Sequence, residues 1–78
     1  MRAYLIWNPM AGQRDVRRPL EDATEVLEEA GWSVRSFETI HPGDGTRLAR
    51  LAVAEGAHVA IAAGGDGTVN EVANGLVG

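Results

Sequence analysis

The sequence predicts an α/β fold in three layers: a strand–helix–strand–helix–strand–helix run that makes half of a doubly wound parallel sheet. Three observations carry this expectation. Short apolar runs alternate with stretches of helical periodicity along all 78 residues. The first run, Ala3-Tyr4-Leu5-Ile6-Trp7, is continuously apolar, as a strand buried on both faces is. The first and third runs each end in a turn-forming cluster, Asn8-Pro9 and Gly64-Gly65-Asp66-Gly67. Strands separated by helices at this spacing require βαβ crossovers and hence a parallel sheet.

The elements follow in order. Residues 3–7 read as the first strand. Residues 15–30 read as a helix with Leu20, Ala23, Thr24, Leu27 and Ala30 on one face, Asp15 as N-cap and Gly31 as stop. Pro19 is tolerable there only within the first turn. Residues 32–39 read as a second strand whose faces are both mixed, which places it near a sheet edge. His41-Pro42-Gly43 breaks it. Asp44 or Thr46 can cap a second helix reaching Glu55, with Leu48, Leu51 and Ala52 inward and Gly56 as terminator. Residues 58–63 read as the third strand, its small side chains suited to close packing. A last helix starts near Thr68, with Val69, Val72, Ala73 and Leu76 on one face. Three strands make a small sheet for this architecture, and the chain runs out directly after a helix. Residues 1–78 are therefore expected to be the N-terminal portion of a larger doubly wound domain.

Composition narrows the function classes. At 8.3 kDa the chain is one domain at most. Hydrophobic residues at 45% and charged residues at 23% give the balance of a folded globular protein rather than a disordered one. Seven Lys+Arg against eleven Asp+Glu leave a net charge of −4, which argues against nonspecific binding to nucleic acid or to an anionic membrane. The absence of cysteine excludes a disulfide scaffold and thiolate metal sites. The apolar stretch 57–63 is far short of the ~20 residues a membrane span needs, and no secretory h-region follows Met1. The expected location is cytoplasmic, compatible with peripheral contact at a membrane.

The most informative segment is Gly64-Gly65-Asp66-Gly67-Thr68-Val69-Asn70-Glu71, at a strand-to-helix junction. Glycines allow close approach of backbone to a ligand, and a helix N-terminus presents free N–H groups and partial positive charge suited to phosphate. Thr68 and Asn70 add neutral donors. The same residues also satisfy a capping box, Thr68 capping and Glu71 reaching back. No Lys completes a P-loop, and Asn70 stands where a dinucleotide fingerprint has its third glycine. Asp66 would repel phosphate unless a Mg²⁺ ion offsets it; otherwise it caps the helix. Asn8, Thr39 and the 64–68 loop fall at carboxyl ends of strands, where open parallel sheets bind ligands. Arg14, Arg17 and Arg18 either face phosphates or form a solvated helix start. His41 and His58 have no evident partner for catalysis. Gly43-Asp44-Gly45-Thr46 recurs as Gly65-Asp66-Gly67-Thr68, which reads as one turn-and-cap solution used twice.

Three blocks, Asn8-Pro9-x-Ala11-Gly12, Thr39 ahead of Gly43-Asp44, and Gly64-Gly65-Asp66-Gly67-Thr68-Val69-Asn70-Glu71-Val72 with Asn74-Gly75-Leu76, occur in order. In this the chain resembles the N-terminal part of the diacylglycerol kinase catalytic domain of bacterial lipid kinases and sphingosine kinases. The resemblance implies transfer of the γ-phosphoryl group of ATP to a lipid hydroxyl. It implies that Asn8, Pro9, Gly12, Thr39 and Gly64, Gly65, Asp66, Gly67, Thr68, Val69, Asn70 and Glu71 contact ATP. It assigns Asp66 to Mg-ATP or to catalysis, and it places the acceptor-lipid site in or near a β-rich C-terminal domain beyond residue 78. The chain departs from the family pattern at Gln13, where glycine is frequent, and at Gly45, where a small non-glycine residue is commoner. The competing readings are an NAD kinase or phosphofructokinase-like enzyme, which shares the Gly-Gly-Asp-Gly core, and a non-catalytic nucleotide-binding module.

Overall fold

A computed structural model describes residues 1–9, 17–64 and 66–77. It holds β1 (Arg2–Trp7), α1 (Arg17–Glu29), β2 (Ser33–Glu38), α2 (Asp44–Ala54), β3 (Val59–Ala63) and α3 (Asp66–Val77). The three strands form one parallel sheet in the order β2-β1-β3. β1 is central, and Ala3 to Trp7 are all buried, as the unbroken apolar run requires. β2 lies at an edge and is nowhere fully buried, in keeping with its mixed sequence.

Side chains alternate across a strand, so the register sorts the two faces. Ile6 sits opposite Phe37 on one side and Ala62 on the other. That row packs against Leu48 and Ala49 of α2 and Val72 of α3, so α2 and α3 share one face of the sheet. Trp7 points to the other face, where the guanidinium of Arg17 in α1 lies 5.9 Å from its ring centroid. Two helices end as the sequence suggests. Trp32 N–H donates to Leu27 O and Gly31 N–H to Glu28 O; Ala57 N–H donates to Ala52 O and Gly56 N–H to Val53 O. These are Schellman closures with Gly31 at φ +92° and Gly56 at φ +74°.

Several expectations need correction. α1 buries no residue: Leu20, Thr24 and Leu27 are half-buried, but Ala23 and Ala30 are exposed. The Asp15 cap lies outside the described residues. β3 starts at Val59; the preceding His58 accepts the Arg2 N–H on Nδ1 at 2.9 Å, pinning the start of β1. In α2, Leu51 is exposed and Ala49 is buried in its place, because the inward stripe runs Gly45, Leu48, Ala49, Ala52. In α3 the inward stripe is Thr68, Val72 and Gly75, leaving Val69, Ala73 and Leu76 exposed. Leu48, Ala52 and Val72 are buried as expected, but hydropathy misplaces the rest of each stripe because the α2–α3 contact is made through small residues.

That contact is very close. A Cβ at Gly75 would collide with the carbonyl oxygen of Thr46 and lie 2.7 Å from the Cβ of Ala49. At Gly45 a Cβ would lie 2.9 Å from the Cβ of Glu71. Thr46 Oγ1 donates to the Glu71 carbonyl at 2.8 Å, tying the two helices at the same level. At the opposite edge of the sheet the Tyr4 hydroxyl donates to Glu55 Oε1 at 2.5 Å, and Arg35 lies over the Tyr4 and Phe37 rings. None of the helices among the described residues is long and apolar enough to cross a membrane.

Gly75→Ala is expected to destabilise the protein by about 1–3 kcal/mol through overpacking. Gly67→Ala, whose Cβ would meet nothing within 4 Å, is expected to cost nothing and to gain up to about 1 kcal/mol of helix propensity. Urea denaturation midpoints of the two variants check this; equal midpoints would contradict the packing described.

Candidate phosphate-binding cleft

The order β2-β1-β3 means the chain leaves β1 toward one side and returns to the other. The carboxyl ends of β1 and β3 flank the point where the direction reverses, the place where open α/β sheets form a ligand crevice. The loops there are held by backbone bonds that extend the ladder beyond the strands. Asn8 N–H donates to Ala63 O at 3.0 Å, and Thr39 N–H donates to Trp7 O at 2.8 Å. Thr39 is buried, and its Oγ1 also donates to Trp7 O at 3.4 Å. After β3 the chain turns at Gly64, φ +151°, where a Cβ would stand 2.9 Å from Thr68 Oγ1 and 3.3 Å from the Cβ of Asn8. Only glycine lets β3 pass into α3 while Asn8 and Thr68 stay this near each other.

A cleft of about 290 Å³ opens at this point, lined by Asn8, Thr39, Ile40, His41, Pro42, Gly67, Thr68 and Glu71. It is at the lower end of the size range of small-molecule sites, ~300–1,000 Å³. α3 begins at Asp66, so Gly67 and Thr68 belong to its first turn, whose N–H groups have no partner within the helix. Thr68 is buried and lines the cleft wall, and Gly67 has open space before it. The first turn of a helix thus faces a cleft whose lining includes the neutral polar side chains of Asn8, Thr39 and Thr68 beside the acidic Glu71, and a helix start with such neutral donors near it suits an anionic, phosphate-like group.

The second helix N-terminus at this edge is closed. Glu71 Oε2 accepts from Gly43 N–H at 3.0 Å, and Oε1 accepts from Gly45 N–H at 2.9 Å. The expected capping box of Thr68 and Glu71 is therefore not formed: α3 starts two residues earlier, and the Glu71 carboxylate reaches across to the start of α2 instead. The N-cap of α2 is Gly43, at φ +91° with no side-chain cap, not Asp44 or Thr46. Asp44 turns back on the preceding loop, where Oδ2 accepts from Ile40 N–H at 2.8 Å and from His41 N–H at 2.9 Å. The N–H groups of His41 and then Ile40, opposed by burial and aided by the charges of Arg47 and His41, hold the Asp44 carboxyl below its ordinary value of 3.8.

The Diacylglycerol kinase catalytic domain family model matches residues 2–78. The chain belongs to that family. It is 47% identical over 75 residues to the protein named diacylglycerol kinase from Staphylococcus aureus, strain bovine RF122 / ET3-1, and equally to that of strain MRSA252. Each alignment covers 96% of this chain and 24% of the relative, so the chain spans about a quarter of the relatives' length. A crystal structure of a diacylglycerol kinase from Bacillus anthracis str. Sterne has the same fold, with TM-score 0.76 and 35% identity over 95% of this chain and 27% of that one.

The family motif residues can now be placed. Asn8, Thr39, Gly67, Thr68 and Glu71 come together around the cleft, and Gly64 stands close behind Asn8 and Thr68. Pro9 is half-buried beside Asn8 but is not part of the cleft wall. Val69 and Asn70 are exposed on α3 and point elsewhere than the cleft lining. Gly12, Gly65 and the side chain of Asp66 lie outside the described residues. Sequence reasoning missed Ile40, His41 and Pro42 as cleft residues. Their signal was positional, since they follow Thr39 at the carboxyl end of β2. Among the described residues no three His, Asp or Glu side chains approach one another as a metal cage would require. Mg²⁺ commonly arrives with nucleotide phosphates and few protein carboxylates.

Asp44→Ala tests how the cleft loop is held. The folded-state pKa of Asp44 is depressed, so its contribution is fully present above 3.8 and is lost as pH falls through the lower folded-state value. Thermal midpoints of wild type and variant should differ by a constant amount near neutrality and converge at strongly acid pH. A difference that persists unchanged into acid would assign the effect to packing instead.

Proposed function

We propose that this chain supplies the ATP-phosphate wall of a lipid kinase that transfers the γ-phosphoryl group of ATP to the hydroxyl of a diacylglycerol-like lipid. The observation that supports it most is the first turn of α3 facing the cleft it forms with Asn8 after β1 and residues 39–42 after β2, in a chain of this family. In this reading the N–H groups of the Gly64 to Thr68 turn hold phosphate oxygens. Thr39, Thr68 and Asn8 give the neutral hydrogen bonds that orient them. Phosphoryl transfer demands chiefly such positioning and charge neutralisation of the transferring group. Mg²⁺ arriving with ATP would supply the charge neutralisation that the acidic chain itself lacks. Asp66, at the first position of α3, is assigned to that Mg-ATP. The acceptor lipid sits against parts of the relatives' length that these 78 residues do not cover, and peripheral membrane contact belongs with that acceptor. The 78-residue stretch alone is expected to bind nucleotide weakly and to turn over none.

The gene's full product, given radiolabelled ATP, Mg²⁺ and mixed micelles of diacylglycerol, should yield labelled phosphatidic acid. Asp66→Asn should lower that rate on the order of 10²-fold or more, the size typical of losing one charge-organising group, with the thermal midpoint retained. Phosphorylation of NAD and not lipid would overturn the lipid assignment. An unchanged rate for Asp66→Asn would overturn the role of that residue.

A further inference from the structure

Glu71 sits in the first half of α3, yet its carboxylate serves another element. Both oxygens are engaged by backbone N–H groups, those of Gly43 and Gly45 at the start of α2. The Glu71 carbonyl takes the Thr46 hydroxyl as well. The segment so held begins immediately after the cleft residues Thr39 to Pro42. Asp44 completes the hold from the other side by accepting from Ile40 and His41. The loop after β2 is thus fastened at two points, and Glu71 is the one that links it to the helix whose N-terminus faces the cleft.

The chemistry favours this division. A carboxylate at a helix N-terminus is stabilised by the partial positive charge there and by charge-assisted bonds. The same carboxylate turned into the cleft would repel phosphate. Placing it on α2 neutralises the competing anion site and keeps the negative charge off α3's own first turn. Gly45 is what permits it, since a Cβ there would stand 2.9 Å from Glu71 Oε1.

We propose that Glu71 is a positioning residue: its carboxylate clamps the start of α2 to α3 and so fixes the cleft wall formed by residues 39–42, without itself binding nucleotide. The effect on nucleotide rests on the phosphate-site reading above; the clamp does not.

The test uses the gene's full product and two variants, Glu71→Ala and the near-isosteric Glu71→Gln, which keeps one acceptor oxygen and protects against a failure to fold. Amide proton shifts and exchange rates of Gly43 and Gly45 are measured by NMR without nucleotide, and MgATP affinity by calorimetry. The clamp predicts upfield shifts and exchange at least tenfold faster at both glycines in Glu71→Ala. In Glu71→Gln the change should be large at one glycine and small at the other. KM for ATP should rise about tenfold in Glu71→Ala while kcat falls less than threefold, with Glu71→Gln intermediate. Unchanged glycine amides with weakened ATP binding would overturn the clamp and make Glu71 a direct ligand. Changed glycine amides in Glu71→Ala, alongside a wild type that binds no MgATP, would overturn the phosphate-site reading and leave the clamp standing.

Discussion

The burial of β1 on both faces and along both edges is the constraint from which the rest follows. A five-residue apolar run, Ala3 to Trp7, can satisfy its backbone only by pairing on each side, and it does so with β2 and β3. Parallel pairing on both sides forces one crossover to travel away from β1 and the next to travel back past it. Two helices then share one face, α1 takes the other, and a gap is left where the chain reverses. The cleft is therefore a consequence of strand order before any of its side chains is chosen. What the side chains add is chemistry: hydroxyls at Thr39 and Thr68, an amide at Asn8, and a glycine turn that keeps them near one another.

A second constraint acts on the helical face. α2 and α3 approach so closely that Gly45 and Gly75 have no room for a methyl group. Dispersion and packing at this separation reward small residues. The Thr46 to Glu71 bond and the Glu71 carboxylate act at the cleft end of the same contact. Stability and site geometry are consequently coupled here. A residue that separates the helices also moves the wall of the cleft.

Much of this was legible in the sequence, and the failures have definite causes. Element order, the edge position of β2 and the glycine stops at Gly31 and Gly56 follow from local rules about burial and turn conformation. So does the gathering of Asn8, Thr39 and the turn after β3 at one edge, because strand ends in a parallel sheet lie together. The capping box of Thr68 and Glu71 failed because a cap is a local motif and the partners of Glu71 are not local. Glu71 is three residues from Thr68 but bonds to amides 28 and 26 residues away. The inward faces of α2 and α3 failed for a related reason. Hydropathy pointed to Leu51, Val69 and Leu76, whereas the close contact selected Ala49 and Gly75. His41 carries no motif of its own, and only the tertiary fold brings it to the cleft.

The two Gly-Asp-Gly-Thr segments make the same point about what a motif determines. In both, the helix begins at the aspartate, Asp44 in α2 and Asp66 in α3, so the local turn chemistry is shared. Their surroundings give them opposite ends. α2 starts under Glu71, and its N–H groups are taken by a carboxylate of the protein itself. α3 starts at the reversal between β1 and β3, where its first turn meets a cleft. With a net charge of −4, the chain cannot draw an anion by its overall field. Attraction must come from short-range N–H groups and hydroxyls, which act only where no internal anion has claimed them. Among the described residues, the Glu71 carboxylate serves the start of α2, whereas the start of α3 meets the cleft, although both are written with the same four residues.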